Sequence, residues 1–261
     1  MYKRQIFEAY LPRYAGDRLP TAKPGLVVGL ADRLDSLLGL FSVGLAPTGS
    51  ADPFGLRRAA MGVVTNLIEH QVFFSVRAGL ALTAAQLPVP VTPQASEEAA
   101  VFVARRLEQM LKDQGLRFDL VDAVLAARAD DPYRAFRTVN ALQDAVQTPA
   151  WPAALTAYAR CKRIVRPLTE RYPLAPAALT GEVAQQLYES YLLAQAQIRP
   201  DSDVEVLVNA LIGLTAAINR FFEQVMVMAD DLVQRHANLG LLQSIAALAD
   251  GIVDLSKVQG F

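Results

Sequence analysis

At 261 residues, 52% of them hydrophobic and with a formal charge of −1, the chain is long enough for one large or two modest cored domains. The near-neutral balance excludes a global polycation, so any nucleic-acid contact has to come from local Lys and Arg clusters. Alanine and leucine dominate over β-branched runs, which points to an all-α fold.

The N-terminus, MYKRQIFEAYLPRYAG, has neither the apolar core nor the small-residue cleavage site of a signal peptide. It reads as a short helix ending near Pro12, followed by a Gly/Pro-rich loop over Gly16–Gly25. A helix is expected from about Leu26 to Val43, then a turn at Pro47–Ser50. Another is expected to start at Asp52-Pro53, with Asp accepting from the first free N–H groups; its stripe is Leu56, Ala60, Val63 and Leu67. The alternating prolines of Leu87–Pro93 let no helix through and read as a stiff connector between two helical blocks.

Beyond it the spacing predicts helices over Ser96–Gln114, closed by Gly115, then 118–128, 132–147, one from Pro152 bent or ended by Pro167, and 182–195. A long helix from Asp203 to Met228 carries Leu207, Leu211, Leu214, Ile218, Phe221, Val225 and Met228 at steps of four and three. That pattern marks the central buried helix of the second block. A last helix is expected over Leu239–Leu255. The longest apolar runs are broken by Asp32, Arg33, Arg77 or Asn219, short of the roughly 20 residues that span a bilayer, so no membrane partner is expected.

Catalytic and metal-ligating patterns are sparse. His70 and His236 have no Cys or His at ligand spacing, and there is no Gly-rich phosphate loop. Cys161, the single cysteine, excludes an internal disulfide and suits a reducing cytoplasm; its neighbours Arg160, Lys162 and Arg163 would lower its pKa if they lie close. Asp32 and Asp35 share a helix face and form the one acidic pair suggestive of a divalent ion.

The basic run is more informative. Arg160, Lys162, Arg163, Arg166 and Arg171 stand against a single acid, Glu170; Arg160, Arg163 and Arg166 follow at steps of three and Lys162 to Arg166 is a step of four, so several of the charges converge along one helix. Two readings stand on the residues alone. An anionic partner would relieve the repulsion, with Tyr158 and Tyr172 flanking the run to stack on unpaired bases. Alternatively the run is a solvated face paired with the acidic block Asp201, Asp203, Glu205, Asp230 and Asp231.

Four phrases occur in order over nearly the whole chain: YLPRYAGDRLP (10–20), KPGLVVGLADRLDSLLGLFSVGLAPTGSADPFGLRRAAMGVV (23–64), LKDQGLRFDLVDAVLAA (111–127) and FFEQVMVMADD (221–231) with LGLL (239–242). Together they resemble the β subunit of the bacterial heterotetrameric glycyl-tRNA synthetase. The resemblance implies a C-terminal portion of that longer subunit: part of an HD-type helical domain (1–86), a connector and helical linker (87–147), and an anticodon-binding helical bundle of the arginyl-tRNA synthetase type (148–261). It further implies that the chain is a component of glycine–tRNA ligase without a complete catalytic site or a cofactor of its own. ATP would be used by the α subunit, and the expected partners are tRNA-Gly and that subunit, with no DNA.

By resemblance the anticodon cytosines are read from about residue 94 onward. Within that part Arg160, Lys162, Arg163 and Arg166 are the candidates for phosphate contacts and Tyr158, Asn219 and Arg220 for base contacts, while Arg57 and Arg58 of the first block are candidates for the acceptor side. Asp32 or Asp35 matches the last aspartate of an HD-type metal site, whose earlier His and His-Asp elements this chain lacks. Two departures stand out: Glu223 where Asp is more usual, and Arg235-His236-Ala237-Asn238-Leu239 where the family tends to read Arg-x-Asn-Arg-Leu. Rival readings are a degenerate HD-type metal phosphohydrolase and a helical scaffold with no RNA role.

Overall fold

Burying Ala- and Leu-rich stripes while satisfying every backbone group locally is what helices do, and the computed structural model is helical throughout. It describes residues 2–261 except Ala15 and Pro200. Among these there are eleven α-helices and no strand. They are α1 (Tyr2–Ala9), α2 (Lys23–Ser42), α3 (Leu56–Glu69), α4 (Val76–Ala84), α5 (Pro93–Asp113), α6 (Phe118–Arg128), α7 (Pro132–Ala145), α8 (Trp151–Val165), α9 (Glu182–Gln197), α10 (Val204–Gln224) and α11 (Leu232–Ala246). The helices fall into two compact units: Met1–Leu116 with Arg128–Arg137, and Arg117–Ala127 with Thr138–Phe261.

In the first unit α2 is the hub, packing on α1, α3, α4 and α5. Its Leu37 and Leu38 are fully buried, as are Val63 and Leu67 of α3 and Leu107 and Leu111 of α5. Phe41 and Phe102 meet with ring centroids 5.4 Å apart. Arg33 of α2 is buried as well, and its hydrogen bonds go to backbone carbonyls. Its Nη1 donates to the carbonyls of Ala9 (2.9 Å) and Gly29 (2.7 Å), and its Nη2 to those of Leu11 (2.9 Å) and Pro12 (3.3 Å). A buried cation is tolerated when its donors find acceptors, as both terminal nitrogens do here.

The segment 85–92 carries no helix, and α5 resumes at Pro93, capped by the Thr92 hydroxyl, which accepts from Ala95 N. α4 was not foreseen in the sequence. Its start is fixed by Ser75, which accepts from Ala78 N, while Asp130 accepts from the Ser75 hydroxyl (2.6 Å) and from Arg77 N (2.8 Å).

The α3 start corrects the expectation at Asp52-Pro53. The helix begins at Leu56, after Gly55 in the left-handed region, and Asp52 reaches across that turn to accept from Leu56 N and Arg57 N at 2.8 and 2.9 Å. The capping carboxylate was identified, but it acts from one turn further back.

In the second unit α10 packs on α8 and α9, and α11 packs on α8 and α9. Leu207, Leu211, Leu214, Ile218 and Phe221 are buried as the stripe requires. By length and composition alone α10 could cross a membrane, yet this stripe is the core of its unit. Val225 and Met228 lie beyond its end; Val225 is extended and Met228 exposed. The last helix also differs from its expected bounds. It starts at Leu232 because Asp231 accepts from Val233 N and Gln234 N, and it gives way after Ala246 to short 3-10 turns at Ala247–Ala249 and Leu255–Lys257.

Candidate nucleic-acid interface

α8 starts with Pro152 in its first turn, where the missing N–H does no harm, and ends just before Pro167. Trp151, Ala154, Leu155, Tyr158 and Cys161 form its buried stripe. The basic residues occupy the remaining faces of the C-terminal half, where the negative end of the helix dipole favours them.

The candidates divide by face. Arg160 and Asn219 come together: Arg160 Nη1 donates to Asn219 Oδ1 at 3.2 Å, and the guanidinium lies over the Phe222 ring at 4.3 Å. Arg220 is exposed on α10 and donates to Gln186 Oε1 of α9 at 2.9 Å, apart from that pair.

Lys162, Arg163 and Arg166 line a cleft of about 590 Å³ with Asp250, Asp254 and Phe261. A second hollow shares Lys162, Arg166 and Asp250 and adds Arg171 and Tyr172, so the two form one trough along the end of α8. Lys162 Nζ is 3.6 Å from an Asp250 carboxylate oxygen, and the Arg163 guanidinium sits 5.4 Å from the centre of the Phe261 ring. The exposed Arg166 side chain has no hydrogen-bond or ion-pair partner among the described residues. The carboxylate in ion-pair contact with the basic run is therefore Asp250, through Lys162. The block at Asp201–Glu205 and Asp230–Asp231 does not pair with it.

Tyr158 needs correcting. It is 2% exposed, and its hydroxyl donates to the Ala246 carbonyl at 2.7 Å. Burial first, then the nearby Asp250 charge, raises its pKa. Buried in this way it cannot stack on a base. Cys161 is corrected too: burial pushes its thiol up to about 12, overriding the opposing pull of Arg160. The signal for both was present in the sequence. Trp151, Ala154, Leu155, Tyr158 and Cys161 follow an apolar three-and-four spacing, which marks a core face whatever the charges beside it.

Elsewhere, Asp32 and Asp35 are exposed on α2, and no group of three metal-ligating side chains occurs among the described residues. Arg57 is tied to its own loop, donating to the Gly49 carbonyl and lying 4.0 Å from Asp52, whereas Arg58 is exposed. His236 stacks on Tyr172, with ring centroids 4.4 Å apart and planes 20° from parallel. No signal in the sequence paired these two rings.

A family model described as glycyl-tRNA synthetase beta subunit matches residues 3–126. Among curated proteins, the chain is 38% identical over 263 residues to a glycine–tRNA ligase beta subunit of Moorella thermoacetica, covering 97% of this chain and 38% of that protein. It is 35% identical over 266 residues to a chloroplastic/mitochondrial glycine–tRNA ligase of Arabidopsis thaliana, covering 100% of this chain and 25% of the relative. A Halalkalibacterium halodurans beta subunit is 33% identical, again over 97% of this chain and 38% of its own length. The chain thus spans well under half the length of these relatives. With nearly every residue aligned to proteins of one kind, the chain belongs to the glycyl-tRNA synthetase β-subunit family.

Proposed function

We propose that this chain is a tRNA-gripping part of the β subunit of glycyl-tRNA synthetase, supporting ATP-dependent attachment of glycine to tRNA-Gly by a catalytic α subunit in the cytoplasm. On this reading residues 148–261 are the anticodon-binding domain. The observation that carries it is the trough at the end of α8, where Lys162, Arg163, Arg166 and Arg171 line one concave surface and Arg166 is left without a counter-ion. A phosphate backbone supplies the missing anions, and such contacts fix the position of the RNA without reading its sequence. Arg160, Asn219 and Arg220 lie on the neighbouring faces of α8 and α10. Two of them already hold each other, so base reading by Arg160 and Asn219 requires that bond to be exchanged.

Filter binding of tRNA-Gly to the 261-residue chain at two salt concentrations tests the proposal. Affinity should fall steeply with salt, and Arg163→Glu with Arg166→Glu should weaken binding and flatten the salt dependence. Unchanged affinity in that double variant would overturn the placement. The phosphohydrolase reading has less support, since it would rest on Asp32 and Asp35 alone, both exposed on one helix face.

A further inference from the structure

We infer that the stacked pair Tyr172–His236 is a landing platform for one unpaired base of the RNA held along α8, an assignment that rests on the reading just given. His236 is exposed. One ring face lies on Tyr172, so a further ring would extend the stack from the opposite face.

The platform is held rigidly. Tyr172 N donates to Gln243 Oε1 at 2.9 Å, and Gln243 Nε2 donates back to the Glu170 carbonyl at 2.8 Å, so one α11 side chain grips the chain on both sides of Arg171. Gly240, one turn earlier, lets this segment lie against the helix: a β-carbon there would be 2.5 Å from the Pro173 carbonyl oxygen and 3.2 Å from that of Tyr172. An aromatic surface fixed in advance loses little freedom when a base lands on it.

The setting selects the ligand. Tyr172 lines the same hollow as Lys162, Arg166 and Arg171, and the opposing carboxylates there are Glu170 and Asp250. Cations along a groove with aromatic rings at its edge match the alternation of phosphate and base in a single strand. Tyr158, the tyrosine of α8, is buried and cannot serve. The platform accepts a base by its ring face, which every base has, so it anchors a loop nucleotide and leaves discrimination to groups that reach base edges.

The test is anisotropy of a fluorescein-labelled tRNA-Gly anticodon stem-loop with the 261-residue chain. His236→Ala should lose roughly tenfold in affinity with the salt slope unchanged, because stacking releases no counterions. His236→Phe should restore binding. An abasic substitution at one loop position should weaken the parent chain but leave His236→Ala no weaker than before. If His236→Ala binds like the parent, or His236→Phe fails to restore, the platform is refuted. Should Arg163→Glu with Arg166→Glu still lose affinity in that case, the trough stands without it. If neither variant matters, both readings fall.

Discussion

The guanidinium of Arg33 crosses Gly62 so closely that a β-carbon on Gly62 would lie 2.4 Å from Arg33 Nε. Gly62 of α3 is therefore the floor over which Arg33 reaches the carbonyls of Ala9, Leu11 and Pro12. Gly62→Ala should destabilise the first unit by roughly 1–3 kcal/mol, the usual cost of forcing atoms into a packed site. Arg33→Met should cost about 3 kcal/mol or more, because it leaves several buried carbonyls without donors. Urea midpoints for both variants check this. A Gly62→Ala protein as stable as the parent would mean that Arg33 has another path.

Glu8 gives the same unit an acid-sensitive joint. Its carboxylate accepts from Arg4 Nε (2.8 Å), the Thr21 hydroxyl (2.8 Å) and Ala22 N (2.9 Å), and these bonds, led by that from Arg4, hold its pKa down at about 2. The folded-state pKa lies below the unfolded one, so the contribution is complete above the unfolded value. It is lost as pH falls from about 5 toward 2. Glu8→Gln should flatten the pH dependence of the urea midpoint across that window and leave it unaltered in shape near neutrality.

Tyr158→Phe separates a core role from an RNA role. Losing the hydroxyl leaves the buried Ala246 carbonyl with only a long contact from Lys162 Nζ, at 3.5 Å, and should cost about 1–2 kcal/mol in stability. tRNA affinity should be unaffected. A Phe variant that unfolds like the parent but releases tRNA would return Tyr158 to the interface.

Asp250 holds Lys162 back from any anion in the trough. The pair is partly exposed, so its coupling is at most about 1 kcal/mol. Asp250→Ala should tighten tRNA binding by roughly threefold and steepen its salt dependence, as Lys162 becomes free to contact phosphate. Titrations at two ionic strengths would register both changes.

What could be read from the sequence depended on whether the decisive interaction was local. The α10 stripe was legible because five buried residues recur at helical steps, and Gly115 was legible because a helix exit at φ +81° suits glycine. Asp52 was legible in kind, but the turn at Gly55 shifted the helix start away from it. The α4 start was hidden because Asp130, its partner, is far along the chain. The start of α11 is local, since Asp231 caps it, but among the neighbouring acids that carboxylate carries no distinguishing mark in the sequence. At the site, charge spacing found the basic edge of α8. The rings that matter beside it, Tyr172 and His236, come from segments more than sixty residues apart, and only the fold brings them together.

The burial of Cys161 has a practical outcome. It is the single sulfhydryl of the chain, wholly enclosed on the core face of α8, with burial pushing its pKa up to about 12. A maleimide or disulfide reagent finds no thiolate until the second unit opens. The speed of labelling under native conditions is therefore a built-in clock for that opening, readable by mass spectrometry without adding any reporter. Bound RNA, if it grips the trough, should slow the clock.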